Sequence, residues 1–329
     1  MSYNYSNYTR FGMKSEAGRY TLVVWYVLVI LCSLLGDTVI LLTSVRYRAF
    51  QLHRVVVSFI QHIAVCDLFL SAVQLIPNVV SLVANHQVSS DTMCIVRFSG
   101  SFYGNTASLF LVSSMAASKL LLIKYPLRAG SWSRKAAHKV CAGIWFVSLY
   151  IPGCYLIVDK DDVIFDYRTY NCMYGYSSSI WKILLPISAL TIVVPNLVII
   201  GSSVLLLKEA RRVASGAQRD VRWQGIITVV LTASVYSISF GPYTIYCIAE
   251  PFVRKDPVEP GPFYLLFYRL ACAFVSFNIL SNFLIYSLTV NSFRHFLTTK
   301  LYQIIGSRKS YQRVQFSSTQ SNSATNQGM

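Results

Sequence analysis

The sequence predicts an all-α membrane protein, a bundle of seven transmembrane helices followed by a short amphipathic cytoplasmic helix. Three observations predict this fold. The 329-residue chain is 54% hydrophobic and 13% charged, whereas soluble domains carry about 25% charged residues. Seven apolar runs follow one another, each long enough to cross a hydrocarbon core of about 30 Å as a helix. Basic residues cluster in alternate segments between the runs, as in chains that thread a bilayer.

The seven runs are expected to be helices because lipid offers the backbone no hydrogen-bond partner. In chain order they cover residues 20–42, 55–83, 94–123, 137–158, 180–207, 223–248 and 263–290. The third and seventh runs are more polar than the others but are still long enough to span. The predicted regions are therefore an extracellular tail (1–19), the bundle (20–290), the amphipathic helix (291–305) and a disordered cytoplasmic tail (306–329).

The last two regions follow from their composition. Residues 291–305 alternate apolar and basic side chains at helical spacing, which predicts a helix lying on the inner leaflet. The alternative is a frayed continuation of the seventh helix. From residue 315 onward the chain is rich in Ser, Thr, Asn and Gln, a composition that does not support a packed core.

The distribution of charge predicts the orientation. Eighteen Lys and Arg residues lie in the segments after the first, third, fifth and seventh runs, where Glu209 and Asp220 are the acids. The opposite side is nearly neutral. Because basic loops stay in the cytoplasm, we expect a multi-pass plasma-membrane protein with an extracellular N-terminus and a cytoplasmic C-terminus.

The N-terminal tail agrees with this orientation. Asn4 and Asn7 each begin a glycosylation sequon. Residues 1–19 are polar and show no cleavable signal peptide, so the first run is expected to act as its own insertion signal. The net charge of +16 does not indicate nucleic-acid binding, because the basic residues lie between apolar runs rather than on one soluble face.

Each predicted helix carries a short motif, and the order and spacing of these motifs are informative. They are Gly36-Asp37, Ala64-Val65-Cys66-Asp67, Cys94, Trp145, Pro195, Ser239-Phe240-Gly241-Pro242 and Asn282-Phe283-Leu284-Ile285-Tyr286. Together, over about residues 20 to 305, they resemble the rhodopsin-like (class A) family of G-protein-coupled receptors. The resemblance implies a receptor, not an enzyme, that passes an extracellular signal to cytoplasmic G proteins.

The resemblance also implies a disulfide between Cys94 and Cys172, which would tie the loop before the fifth helix over the extracellular mouth. It implies a polar core in which Asp67, Ser108, Asn278 and Asn282 hold a sodium ion, beside a second acid at Asp37. Carboxylates inside apolar runs are functional by default. The alternative is a protonated, hydrogen-bonded Asp67 with no ion, and no other cofactor is expected.

The sequence departs from the family at its activation residues. The family has Asp-Arg-Tyr where this chain has Ser118-Lys119-Leu120, and many members have an acid where this chain has Arg222. No carboxylate is therefore expected to pair with Lys119, and we hypothesise high basal activity or unusual coupling. The other residues expected to move on activation are Tyr236, Phe240, Pro242 and Tyr286, with Pro242 kinking the sixth helix.

The expected ligand pocket lies at the extracellular end. By resemblance it includes Arg97, Ser101, Asn105, Lys182, Tyr243, Tyr246, Glu250, Tyr268, Arg269 and Cys272. Ser101 stands where amine receptors have an Asp, and Ser276 stands where opsins have the retinal Lys, so neither a monoamine nor retinal is expected. Arg97 and Arg269 either clamp a carboxylate or phosphate, or face water or nearby acids. A peptide and a small polar ligand both remain open.

The expected partners are heterotrimeric G proteins, arrestin after phosphorylation of the Ser- and Thr-rich tail, and the bilayer itself. A decoy that binds ligand without coupling is the main alternative, because the activation motif is altered. A transporter would favour paired repeats with broken helices, and none is evident. An intramembrane enzyme would need grouped His and Asp residues, whereas His62 stands well inside a run and the other histidines lie at the edge of a run or outside the runs.

Overall fold

The computed structural model describes nine helices and one two-stranded sheet. The described residues are 16–46, 54–88, 90–125, 132–159, 163–166, 170–174, 181–212, 219–253, 262–289, 293–294 and 298. In chain order the elements are α1 (Glu16–Arg46), α2 (Arg54–Leu70), a π-helical turn (Ser71–Leu75), α3 (Ile76–Ala84), α4 (Asp91–Lys124), α5 (Arg134–Ser148), α6 (Tyr150–Asp159), β1 (Val163–Asp166), β2 (Asn171–Tyr174), α7 (Trp181–Arg212), α8 (Arg219–Val253) and α9 (Pro262–Thr289).

The helices form one bundle around α4. This helix packs against α2, α5, α6, α7 and α8, and α9 closes the bundle between α8 and α1. Within the described residues, six helical stretches are long and apolar enough to cross a membrane. Large apolar side chains point outward from them, such as Leu35 and Leu288, as expected for surfaces that face lipid.

The fourth predicted span is not one helix. It is divided at Leu149 into α5, of 15 residues, and α6, of 10 residues. Pro152 explains the interruption, because it has no N–H and its ring clashes with the carbonyl of Ser148 four residues earlier. The two segments together cover Arg134–Asp159, which at about 1.5 Å per residue still suffices for one crossing.

The second span contains a similar adjustment. Between α2 and α3 the backbone widens into the π-helical turn, which is followed by Pro77 at the start of α3. A π turn moves the carbonyl of Val73 away from the proline ring, so the span continues without a break. The span ends at Asn85, which caps it in the left-handed conformation with φ of 59°.

The two ends of the bundle differ in structure and charge. At the hairpin end, β1 and β2 form an antiparallel hairpin that packs on α4. The opposite end, here called the basic end, is where six of the described helices begin or stop at basic residues. These are Arg46, Arg54, Lys124, Arg134, Arg212 and Arg219.

Several predicted features lie mostly outside the described residues. Asn4 and Asn7 fall in this category, as does the tail from residue 299 onward. Of the predicted amphipathic helix, the structure describes Phe293, Arg294 and Thr298. Phe293 is buried with its ring edge against Phe283 of α9, at 6.1 Å between ring centroids.

Candidate functional site

The bundle encloses two acids in its polar core. Asp67 of α2 is wholly buried and accepts a hydrogen bond of 2.6 Å from the side-chain amide of Asn282 on α9. Asp37 of α1, 1% exposed, accepts one of 2.6 Å from the hydroxyl of Ser33 one turn earlier. The bond between Asn282 and Asp67 therefore joins α9 to α2 at the depth where the sequence predicts an ion site, whereas the bond of Asp37 stays within α1.

Four carboxyl and amide oxygen atoms in this core have no hydrogen-bond partner among the described residues. They are Asp37 Oδ1, Asp67 Oδ1, Asn278 Oδ1 and Asn282 Oδ1. Ser108 of α4, also predicted here, is fully buried beside Cys66 and Tyr236. Buried oxygens without partners are costly, and a group of them suits a hard cation or ordered water.

The hairpin end is closed by the disulfide that the resemblance implies. Cys94, in the first turn of α4, is bonded to Cys172 of β2, with 5.5 Å between the Cα atoms. Ser90 caps α4 just before this bond by accepting from the backbone N–H of Met93 at 3.3 Å. The prediction of this pair is confirmed, and the bond holds the hairpin over the bundle.

Arg97 lies one turn below the disulfide and is 2% exposed. Its guanidinium donates to the side chains of Asn78 and Ser81 on α3 and to the carbonyl of Tyr170 beside β2. It also lies 6.0 Å from the ring of Phe165 in β1. The structure thus places Arg97 as a tie between α4, α3 and the hairpin, and not in the lining of the cavity.

A small cavity that opens to solvent lies under the hairpin, between α1, the second span and α9. Its lining includes three residues that the sequence predicts, namely Tyr268, Arg269 and Cys272, together with Leu22, Tyr26, Gln74, Leu75, Asn78 and Asn171. Sequence reasoning missed Gln74 and Asn78. Their amides inside an apolar run were the available signal, because polar side chains in a span tend to mark a site.

The remaining predicted pocket residues surround this cavity rather than line it. Asn105 donates to Gln74 at 3.4 Å, and the Tyr246 ring lies 4.6 Å from that of Tyr268. Tyr243 lies behind Tyr246, at 6.4 Å between ring centroids. Ser101 donates to the carbonyl of Arg97 in its own helix, at 2.7 Å. The side chains of Lys182 and Glu250 lie outside what the structure describes.

At the basic end, the altered activation motif is buried between α4 and α8. Ser118 and Lys119 are 5% and 8% exposed. A Cβ atom placed on Gly225 of α8 would lie 2.9 Å from Lys119 Nζ, so the ammonium rests directly against this glycine. The side chain of Arg222 lies outside the described residues. Sequence reasoning missed Gly225, because no motif near it in the sequence indicates a contact with Lys119.

A second contact at the basic end joins α8 to α9. The hydroxyl of Thr228 donates to the hydroxyl of Thr289 at 2.9 Å, and Thr289 in turn donates to the carbonyl of Ile285 at 2.7 Å. Tyr286, the residue that follows Ile285 in α9, is buried. The bond between Thr228 and Thr289 holds the ends of the sixth and seventh spans together.

The other predicted activation residues lie in the middle of the bundle. Tyr236 and Phe240 of α8 stack with 4.7 Å between ring centroids and 6° between ring planes. The helix α8 continues through Pro242 without interruption, so the kink there stays a prediction. Phe283, at the family's proline position, packs on Gly36 so closely that a Cβ atom on Gly36 would lie 2.6 Å from Phe283 Cβ.

The arrangement of seven spans, hairpin disulfide and polar core agrees with the sequence pattern of one known family. The pattern of the 7 transmembrane receptor (rhodopsin family) matches residues 36–297. The chain belongs to this family. The receptor is therefore a multi-pass membrane protein, and the fold and family that the motifs predict are confirmed. Membership implies an extracellular ligand and G-protein interaction, and the family is one of signalling receptors rather than enzymes.

Proposed function

We propose that this receptor has its hairpin end outside the cell and its basic end in the cytoplasm, where it activates a heterotrimeric G protein. The cluster of basic residues at one end supports this orientation, because such residues are retained on the cytoplasmic side. The disulfide at the other end suits the oxidising extracellular space. After phosphorylation of the Ser- and Thr-rich tail, arrestin binds the same end.

The proposed ligand is a small molecule that carries a carboxylate or phosphate. The observation that carries this proposal is the position of Arg269 in the cavity lining, beside the side-chain amides of Gln74, Asn78 and Asn171 and the ring of Tyr268. No acid lines the cavity among the described residues. A guanidinium binds planar anions with two parallel hydrogen bonds, and the amides orient the rest of the ligand.

Activation moves the end of α8 away from α4 and α9. The contacts that must then break are those of Lys119 with Gly225 and of Thr228 with Thr289. Tyr236 and Phe240 repack as α8 turns, and Tyr286 moves inward. A hydroxyl bond between membrane helices contributes about 0.6 to 1.7 kcal/mol, so the bond between Thr228 and Thr289 is a weak part of the resting state, and Ser118 offers no carboxylate for an ion pair.

A ligand screen in cells that carry labelled G proteins of each subtype tests the proposed coupling and the proposed class of ligand. A library rich in carboxylates and phosphates is expected to give ligand-dependent recruitment. Arg269→Gln is expected to weaken ligand binding at least tenfold, and Arg269→Lys less, because Lys retains the charge but not the planar fork. Arg19→Gln at the start of α1 is the control.

A decoy is the second candidate, since Ser118 and Lys119 replace the acid and arginine of the family. The same screen separates the two functions. A ligand that binds with Arg269-dependent affinity but recruits no G-protein subtype supports the decoy. Recruitment that Arg269→Gln leaves unchanged contradicts the proposed ligand site.

A sodium ion at Asp67 completes the proposal. The oxygens without partners fit this hard cation, and a bound ion stabilises the folded state in proportion to its occupancy. The purified receptor is expected to melt higher in sodium chloride than in choline chloride. Asp67→Asn should remove this difference, and Asp91→Asn at the hairpin end should keep it. Equal melting of the wild type in both salts would support the protonated Asp67 instead.

A further inference from the structure

Two histidines and a tryptophan connect the second and fourth spans near the basic end. Trp145 Nε1 donates to His62 Nδ1 at 3.1 Å, and His62 Nε2 lies 3.0 Å from His138 Nδ1. His138 Nε2 lies 3.5 Å from the hydroxyl of Ser58, which donates to the carbonyl of Arg54 at 3.1 Å. The sequence does not indicate this pairing, because His62 and His138 lie 76 residues apart.

Two donors limit where the protons in this chain can lie. The indole N–H of Trp145 and the guanidinium N–H of Arg134 are donors only, and they point at His62 Nδ1 and at His138 Nε2, at 3.1 and 3.3 Å. When Trp145 is satisfied, His62 carries its proton on Nε2 and donates it to His138 Nδ1, and the proton on His138 Nε2 opposes Arg134. When Arg134 is satisfied, the direction reverses and Trp145 is opposed. The neutral pair therefore keeps its inner bond and one of the two outer bonds.

The same reasoning excludes a metal ion between the rings. A metal would need the lone pair of His62 Nε2, and the displaced proton would have to occupy Nδ1. That nitrogen already faces the N–H of Trp145 at 3.1 Å. The pair is built to hold one proton between its nitrogens, not a cation.

Protonation of either ring adds a second pair of N–H groups that face each other. An added proton on His62 would oppose the N–H of Trp145, and one on His138 would oppose the N–H of His62. Arg134 adds like charge, with its Nε 3.3 Å from His138 Nε2. Neither histidine has a carboxylate partner among the described residues. A bound proton must therefore break a contact.

The other charged groups on the surrounding helices are engaged elsewhere or face outward. Asp37 of α1 is bonded to Ser33, and Asp67 of α2 to Asn282. Lys119 of α4 rests against Gly225. Of the remaining cations, Lys124 of α4 lies over the ring of Tyr125, and Arg54, Lys135 and Lys139 are exposed. Arg134 also donates to Gln61 at 3.2 Å.

We propose that His62 and His138 form a proton-sensitive latch that joins α2 to α5 and opens when the solution at the basic end is acidified. Opening frees α5 from α2, and α5 is a short segment because the fourth span is divided at Leu149. In the proposed orientation this solution is the cytoplasm. That consequence for signalling, unlike the latch itself, rests on the proposed function.

The test uses the full-length receptor in lipid nanodiscs, where both ends meet the buffer. Intrinsic fluorescence is followed from about pH 8 to 5, the range in which histidine titrates. A protonated imidazole in contact with an indole quenches its emission, so the wild type is expected to show a one-step fall. Trp145→Phe should remove the step, which assigns it to this indole.

Two substitutions decide whether the histidines cause the step. His62→Asn and His138→Asn each keep one acceptor and one donor but do not titrate, and either is expected to abolish the step. His86→Asn, at the hairpin end where His86 contacts the carbonyl of Ala84, should keep it. A wild type without a step, or a step that survives in both latch variants, overturns the proposal.

Basal nucleotide exchange by a purified G protein, measured near neutral pH and in acid, separates this inference from the proposed function. The wild type should respond to pH more than the two latch variants, which share the pH dependence of the G protein itself. A receptor with the fluorescence step but no exchange at any pH contradicts the proposed coupling alone. Exchange without the step contradicts the latch alone.

Discussion

Single glycines determine how closely the helices of this receptor approach. Gly36 is the clearest case, because Phe283 occupies the space that any side chain there would need. Gly225 has the same role for Lys119, but the atom next to it is the far end of a long side chain. Gly143 of α5 has open space around it. The same substitution at the three sites therefore has three different expected outcomes.

Gly36→Ala is expected to destabilise the receptor by about 1–3 kcal/mol, because overpacking at a close helix contact forces the backbones apart. Thermal unfolding of the purified protein measures the effect. Phe283→Ala should relieve it, so the double variant should be more stable than the sum of the single changes implies. Gly143→Ala is the control and should be neutral. Equal melting of the Gly36 and Gly143 variants would contradict the contact.

Gly225→Ala is expected to leave stability nearly unchanged and to raise basal G-protein activation. The new methyl group displaces the ammonium of Lys119, the far end of a flexible side chain, and it loosens the contact between α4 and α8 at the basic end. Nucleotide exchange without ligand measures this. Gly241→Ala on the same helix meets open space and should leave basal exchange as in the wild type. Unchanged nucleotide exchange in both variants would contradict a role for the contact between Lys119 and Gly225 in holding the resting state.

At the scale of elements, the hairpin is held to the bundle by a bond and by a buried cation. The disulfide closes a separation of 78 residues, and Arg97 connects the same hairpin to α3 and α4. Both lie above the cavity, to which the hairpin contributes Asn171. The position of the hairpin therefore determines the shape of the proposed ligand site.

Replacing Cys94 and Cys172 together by Ala is expected to lower stability by about 2–5 kcal/mol, since an unfolded chain without the cross-link gains freedom. Ligand binding should fall further than stability alone explains, because Asn171 loses its fixed position. Melting temperature and binding of the ligand found in the screen are the two measurements. Cys32→Ala, which removes a free thiol of α1, is the control. Unchanged ligand binding in the double variant would contradict the idea that the position of the hairpin determines the shape of the ligand site.

The whole molecule crosses the bilayer an odd number of times, so its ends are expected on opposite faces. An N-terminal tag should be reachable on intact cells, and a C-terminal tag only after permeabilisation. Replacing Asn4 and Asn7 by Gln should increase electrophoretic mobility, as enzymatic removal of N-glycans should in the wild type. Both tags on one face would contradict the proposed orientation.

The sequence predicts the number of spans well because apolar length alone determines whether a segment can cross. It does not predict the divisions of the second and fourth spans, which depend on where the carbonyls of Val73 and Ser148 can turn away from a proline. Motif spacing locates Asp67, Asn282 and the disulfide. It misses the amides of Gln74 and Asn78, and it misassigns Arg97, because a sequence does not show which face of a helix a side chain occupies.

The absence of proline at Phe283 has a consequence for how the seventh span moves. The helix α9 runs unbroken from Pro262 to Thr289, and it is attached to α1 at two levels, by the bond of 2.9 Å from Trp25 to Ser276 and by the contact of Phe283 with Gly36. A rod without a hinge turns about its own axis rather than bending. A rotation that carries Tyr286 inward would then also displace Trp25, which lies near the opposite membrane surface. The first and seventh spans would therefore move together when a ligand binds.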